Sequence, residues 1–288
     1  MILKQQYKQI LATPKPFVKW AGGKRQLISF LNENLPETFG TYYEPFLGGG
    51  ALLFHILTKK NGQKCNISDL NLDLVLAYTT IRDRIDELIR SLKIHEKNYQ
   101  KDSKFYYYYV RGTNPRSEIE KTSRLLFLNR TCFNGLYRVN SKGKFNVPLG
   151  KYTNPNIVNE ENLHSVSNIL QSSRVSIKCR DFEAVLRDAK KGDLVYFDPP
   201  YQPVSETANF TSYTNKNFTF DDLNRLADLC MKLDSKGCKV LLSNSDSKQV
   251  SNLFSKKPWK ISRIQANRSI NSNSKKRTGH FELLIKNY

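Results

Sequence analysis

The sequence predicts an α/β fold, a mostly parallel sheet covered on both faces by helices, with a basic and aromatic segment inserted into it. Two observations predict the sheet. Short apolar runs without polar alternation recur at residues 41–46, 65–68, Val175–Cys179, Leu194–Phe197 and 240–242, and a strand without alternation is one buried on both faces. Helix-like segments separate these runs, which is the order that parallel strands require. A third observation places the insertion. From about Lys101 to Lys151 the strand rhythm stops and aromatic, basic and turn residues take over.

Taken in order, residues 41–46 (TYYEPF) run into Gly48, Gly49 and Gly50 and then the apolar stretch 51–57, a strand, tight turn and helix. The run 65–68 ends at Asp69. After it Leu74, Tyr78, Ile81, Ile85, Leu88 and Leu92 recur at steps of three and four, the pattern of one amphipathic helix. Residues 221–233 read as a helix between the fourth and fifth strands.

A chain of 288 residues with 39% apolar and 25% charged residues can bury one large domain carrying a smaller insertion. No apolar run approaches the roughly 18 residues that span a bilayer, and residues 1–16 lack the apolar core of a secretory signal. A cytoplasmic protein without a membrane partner is expected. The five cysteines show no C-x-x-C spacing, so neither disulfides nor a structural metal is expected.

The net charge of +20 is segregated along the chain. Residues 1–25 hold six Lys/Arg and no acid, residues 101–151 eleven against three, and residues 256–277 eight against none. The rest of the chain is close to neutral. That pattern is a polyanion-binding face on an ordinary body. Since none of the three stretches is a basic amphipathic helix, nucleic acid is favoured over an anionic membrane.

Two motifs close strands, where open parallel sheets bind ligands. Glu44-Pro45-Phe46-Leu47-Gly48-Gly49-Gly50 lets the backbone approach a ligand closely, and it matches neither phosphate-loop pattern. Asp69 is suited to accepting hydrogen bonds from a ribose diol, or to capping the helix that follows. Asp198-Pro199-Pro200-Tyr201 follows the run LVYF. An exocyclic adenine amine is a poor nucleophile because its lone pair is delocalised. Its alkylation needs acceptors that hold both N–H groups, which the Asp198 carboxylate and the Pro199 carbonyl can supply on a loop stiffened by proline. Tyr201 offers a stacking face. A base inside a duplex reaches such a site only by flipping out.

With these residues in view, the chain resembles the Dam-type (D12 class, alpha group) family of DNA adenine-N6 methyltransferases over nearly its whole length. Further matching segments are 17–24 (FVKWAGGK), 129–152 (NRTCFNGLYRVNSKGKFNVPLGKY), 180–182 (RDF), 208–213 (ANFTSY), Ser243-Asn244 and 268–270 (RSI). The resemblance implies a Rossmann-like class I methyltransferase fold with a mixed, mostly parallel seven-stranded sheet and a mainly helical target-recognition domain. It divides the chain into a discontinuous catalytic domain, 1–72 and 157–288, and a recognition domain, 73–156. It implies that Trp20, Gly22, Lys24, Glu44, Phe46, Gly48, Gly50, Asp69, Asp181, Phe182 and Asp198 bind S-adenosylmethionine. It makes Asp198, Pro199 and Tyr201 catalytic without a metal. Lys19, Arg130, Phe133, Asn134, Leu136, Arg138, Pro148 and Arg268 would contact double-stranded DNA, with GATC the expected site. Phe133 and Thr131-Cys132 depart from relatives, which often place Tyr or His there. A monomer is expected, solitary or paired with a restriction endonuclease acting in trans.

Other readings make different demands. Cytosine-N4 enzymes more often begin the catalytic motif with Ser, and glutamine or RNA amino methyltransferases with Asn; a non-catalytic DNA-binding relative would have lost Asp198 or the glycine loop. The aromatic run Phe105-Tyr106-Tyr107-Tyr108-Tyr109 fits core packing better than stacking on single strands. Residues 268–277 fit a loop contacting phosphates or a solvated one.

Overall fold

The computed structural model describes residues 13–20, 22–140, 142–201, 218–266 and 280–288. A single-turn 3-10 helix at Lys24–Leu27 leads into α1 (Ile28–Glu33), β1 (Tyr42–Glu44), α2 (Ala51–Lys59), β2 (Cys65–Asp69) and α3 (Leu72–Asp83). Helices α4 (Ile85–Lys101), α5 (Ser103–Gly112) and α6 (Glu118–Thr131) follow, then an irregular stretch and α7 (Glu160–Ser172). The chain returns to the sheet with β3 (Val175–Cys179), α8 (Val185–Asp188), β4 (Leu194–Phe197), α9 (Phe220–Ser235), β5 (Lys239–Ser245), α10 (Lys248–Leu253), β6 (Lys260–Ala266) and β7 (His280–Lys286).

The strands form one seven-stranded sheet in the order β3-β2-β1-β4-β5-β7-β6. The pairs β3/β2, β2/β1, β1/β4 and β4/β5 are parallel, whereas β7 runs antiparallel to both β5 and β6. This is the mixed, mostly parallel sheet that the resemblance implies. Adjacent residues point to opposite faces. Tyr42, Leu194, Tyr196 and Leu241 enter one apolar cluster, and Tyr43, Val195, Phe197, Val240 and Leu242 enter the other. With both faces covered, polar alternation would bury unpaired groups, so the strands read as continuous apolar runs.

The first cluster takes its helical residues from α1, α2, α3 and α7, and it continues without a break into Leu88 and Leu92 of α4, Tyr107 of α5 and Phe127 of α6. The second is covered by α8, α9 and α10. The inserted helices therefore extend the core of one sheet face.

The helical period from Leu74 to Leu92 belongs to two helices, because Arg84 leaves the helical region at φ −139° and ψ 42° and ends α3. The apolar spacing runs through the break, which is why the sequence reads as one helix. Asn71, and not Asp69, caps α3, its side chain accepting from Leu74 N at 3.1 Å. Capping boxes start α6 (Ser117 and Glu120) and α9 (Thr219 and Asp222). Among the described residues no helix is long and apolar enough to cross a membrane.

Candidate active site

The sheet order reverses between β1 and β4, and both strand-end motifs emerge there: the glycine loop after β1 and residues 198–201 after β4. This is the crevice in which open α/β sheets bind ligands.

The glycine loop is shaped from three sides. Gly48 and Gly50 have φ of 49° and 66°, which side chains rarely tolerate. A Cβ on Gly50 would lie 2.5 Å from the Tyr78 hydroxyl of α3, and one on Gly48 would lie 3.1 Å from Cδ1 of Trp20. Tyr78 donates to Gly48 O at 3.1 Å. Asp69 accepts from Gly48 N at 3.0 Å and Asn71 N at 2.9 Å. Burial pushes its carboxyl above the usual range, with these backbone N–H groups opposing the shift. Asp69 thus ties the end of β2 to the loop after β1.

Behind the loop Glu44 is buried and accepts from the Tyr42 hydroxyl at 2.9 Å. Loss of water pushes its carboxyl up to about 8, assisted by the negative charges of Asp198 and Asp69 and opposed by the hydrogen bond from Tyr42.

The centre of the site is a four-residue cluster. The ammonium of Lys24, 5% exposed, lies 2.8 Å from Asp198 Oδ1, and it donates to Gly22 O at 3.0 Å and the Tyr201 hydroxyl at 2.8 Å. The Tyr201 hydroxyl donates in turn to Glu282 Oε2 at 2.7 Å, and the same oxygen stands 3.6 Å from Lys24 Nζ. Burial raises the Asp198 carboxyl to about 6, while the Lys24 charge lowers it and Glu282 raises it. Burial also holds the Tyr201 phenol well above its ordinary value. Pro199 is buried beside this group.

A third strand end contributes Asp181 and Phe182. The Asp181 carboxylate accepts from Glu183 N at 2.9 Å and from Arg225 at 3.1 Å, and the Arg225 guanidinium stands 4.9 Å from the centre of the buried Phe182 ring. Phe182 stacks on Phe46 at 5.2 Å. Arg225 escaped the sequence reading because nothing marks it in the polar face of α9.

The residues that the resemblance assigns to DNA gather at the junction of the N-terminal segment with residues 129–152. The Asn129 side chain accepts from Lys19 N at 2.7 Å and donates to the carbonyls of Lys19 and Gly135 at 2.8 and 3.0 Å. Gly135 faces the Lys19 side chain, which would lie 2.3 Å from a Cβ there and whose ammonium reaches the Tyr152 hydroxyl at 3.2 Å. Phe133 N donates to Pro148 O at 2.9 Å, joining the backbones of these two exposed residues. Asn134 takes the left-handed conformation at φ 55° beside the partly buried Leu136. Arg138 Nε donates to Asn146 Oδ1 at 2.7 Å, which aims the guanidinium. Arg130 is half-buried, its guanidinium donating to Phe17 O at 2.8 Å. Thr131 and Cys132 are buried, so that departure from relatives falls in the scaffold. Arg268 and the segment 208–213 lie outside the described residues.

Phe105-Tyr106-Tyr107-Tyr108-Tyr109 divides along α5. Tyr107 is buried with its hydroxyl on Val147 O, and Tyr106 bonds His95, whereas Phe105 and Tyr109 are exposed. Packing explains the first pair only. Among the described residues no group of acids, histidines and cysteines could hold a metal ion.

Glu282 escaped the sequence reading as well. Its signal was one acid in the apolar run HFELLIK near the end of the chain. Register puts it opposite Ser245, at the carboxyl end of β5 and so at the ligand edge of the sheet.

A doubly covered sheet with a glycine loop and a carboxylate at its switch point is the architecture of an α/β enzyme. The family can be stated: residues 20–270 match the D12 class N6 adenine-specific DNA methyltransferase family, and the chain belongs to it. It is 44% identical to the Type II methyltransferase M.MjaIII of Methanocaldococcus jannaschii, over 95% of this chain and 99% of that protein. It is 42% identical to the Type II methyltransferase M1.LlaDCHI of Lactococcus lactis subsp. cremoris, over 95% of each. A DNA adenine methylase of Haemophilus influenzae is 33% identical over 94% of this chain and 92% of its own length.

Proposed function

We propose that this enzyme transfers the methyl group of S-adenosylmethionine to N6 of an adenine flipped out of double-stranded DNA, at a short site expected to be GATC. The observation that carries the reading is the half-buried Asp198 carboxylate just after β4, paired with Lys24, whose ammonium is in turn held by Tyr201.

The residues present fit the methyl donor. The Asp69 carboxylate, held against the glycine loop by its bond from Gly48 N, suits the diol of a ribose. When bound, the donor supplies an electrophilic methyl on a positively charged sulfonium. Asp69 and the glycine loop would hold its ribose and methionine end, with Trp20 packed against Gly48. Asp181, Phe182 and Phe46 would take its adenine.

Asp198 and the Pro199 carbonyl would accept the two N–H groups of the target amine, drawing the nitrogen toward tetrahedral geometry, while Tyr201 lines the site. Because both acceptors sit on a loop stiffened by proline, they keep their own positions as the base arrives. The proton leaves to solvent afterwards.

Residues 73–156 would supply recognition and 1–72 with 157–288 the chemistry, although α3, inside the first range, packs beneath the glycine loop through Tyr78. Arg138 is suited to guanine O6 and N7, Lys19 to a second guanine contact, and Phe133 to the gap left by the flipped base. The two relatives at 44% and 42% identity are named Type II methyltransferases, which favours a modification role beside an endonuclease in trans over a solitary one. The test is sequencing with modified-base detection on DNA from cells expressing the chain. N6-methyladenine in one short motif supports the reading, and methylcytosine or an unmodified genome refutes it.

A further inference from the structure

We infer that Glu282 is a positioning residue for methyl transfer: it is the second carboxylate that receives the Lys24 ammonium when the target amine takes its place on Asp198. The inference rests on the proposed role of Asp198.

An ammonium has three N–H donors. Among the described residues, three polar atoms lie within 3.0 Å of Lys24 Nζ: Gly22 O, the Tyr201 hydroxyl and Asp198 Oδ1. Glu282 Oε2, at 3.6 Å, is too far for a hydrogen bond but close enough for an ion pair. The Asp198 carboxylate therefore begins with one oxygen committed to a cation, and its acceptor strength toward an amine is reduced accordingly.

Removing Lys24 from Asp198 without a substitute would strand a buried cation, which is strongly unfavourable. Glu282 supplies the substitute. A shift of under 1 Å brings Nζ from 3.6 Å to hydrogen-bonding distance of Glu282. Tyr201 guides the shift, since its hydroxyl accepts from Lys24 and donates to the same Glu282 oxygen. Glu282 is itself 8% exposed on β7, so its carboxylate is held in place and shielded from bulk water. An acid so placed in an apolar strand has no structural need to be charged; glutamine could accept from Tyr201 equally well. What glutamine cannot do is hold the ammonium as an ion pair.

The experiment is a double-mutant cycle on the full chain, read by single-turnover transfer of labelled methyl from S-adenosylmethionine to plasmid DNA free of adenine methylation. Glu282→Gln is expected to lower the transfer rate about 30-fold or more while leaving the dissociation constants for S-adenosylmethionine and for the plasmid within threefold. In a Lys24→Met background the same substitution is expected to change the rate less than threefold, because the ammonium it serves is gone. Glu282→Asp keeps the charge but draws it back by one methylene; it should show the same non-additive loss, and it decides the matter if the glutamine variant does not fold. Near-normal transfer by Glu282→Gln, weakened binding in place of slowed transfer, or a defect that adds in full to that of Lys24→Met would overturn the inference. A wild-type enzyme that leaves plasmid adenine unmethylated would overturn the role of Asp198 and this inference with it.

Discussion

The Lys24 ammonium and the Asp198 carboxylate are 2.8 Å apart, one from the turn that precedes α1 and the other from the loop that follows β4. Their pairing joins the N-terminal segment to the switch point of the sheet, and it sets the charge state in which the acceptor waits. Because the pair is screened from water, breaking it by removing either partner is far more consequential than for a surface ion pair.

The first prediction concerns pH. Burial raises the Asp198 carboxyl to about 6, with Lys24 opposing and Glu282 adding to the shift. The protonated form is a much weaker acceptor for an N–H than the carboxylate. The kcat/KM of the wild type should therefore fall about tenfold per pH unit below about pH 6 and level off above it. A profile flat down to pH 5 would show that ionised Asp198 is not required.

Stability should carry a separate signature of Glu44. Its folded value of about 8 lies above the ordinary value of 4.5, so folding takes up a proton between those limits. The associated stability is complete below about 4.5 and is lost as pH rises through about 8. Asp198 titrates lower, and burial lowers His95 to about 4, so that imidazole costs stability only as pH falls below about 6.5. From about pH 6.5 to 7.5 the unfolding free energy should thus decline by up to about 1.4 kcal/mol per pH unit. Glu44→Gln should flatten that decline. Urea unfolding at three pH values checks it, and an unchanged slope in the variant contradicts it.

Arg138 should decide one base pair. Asn146 fixes its guanidinium at 2.7 Å, and loss of a bidentate contact to guanine costs about 1–3 kcal/mol of discrimination. Arg138→Ala should relax choice at a single position of the site, with Asn146→Ala acting in the same direction but less. Methylation rates on duplexes substituted one base pair at a time measure this. A uniform loss at every position would make Arg138 a phosphate contact instead.

The basic segments should act through phosphates. DNA affinity is expected to fall linearly with salt on logarithmic axes, with a slope near −0.9 for each phosphate contacted. Fluorescence anisotropy of a labelled duplex between 50 and 300 mM salt gives the slope, and a flat response excludes the electrostatic face.

The five parallel strands were legible because burial on both faces forbids alternation, and the strand-end motifs because glycine and proline are conspicuous. Residues 260–266 and 280–286 were not identified as strands. The first reads KISRIQA at the edge of the sheet, and the second contains Glu282, so neither is a clean apolar run. The break at Arg84 was hidden by apolar spacing that continues across it. Sequence could identify Asp198 by its neighbours, but Glu282 joins its cluster only through the antiparallel return of β7, bonding Tyr201 across 81 positions in a way that no local pattern reports. Likewise Asn129 and Asn146 are unremarkable as letters, yet each positions a residue expected to contact DNA.

The most direct test compares purified wild type with Asp198→Ala on S-adenosylmethionine and unmethylated plasmid DNA, digesting the product to nucleosides. The account predicts that the wild type forms N6-methyldeoxyadenosine and no other methylated nucleoside, and that Asp198→Ala, still folded and still binding DNA, forms none. Near-normal turnover in the alanine variant, or a methyl group on any nucleoside but deoxyadenosine, would contradict it.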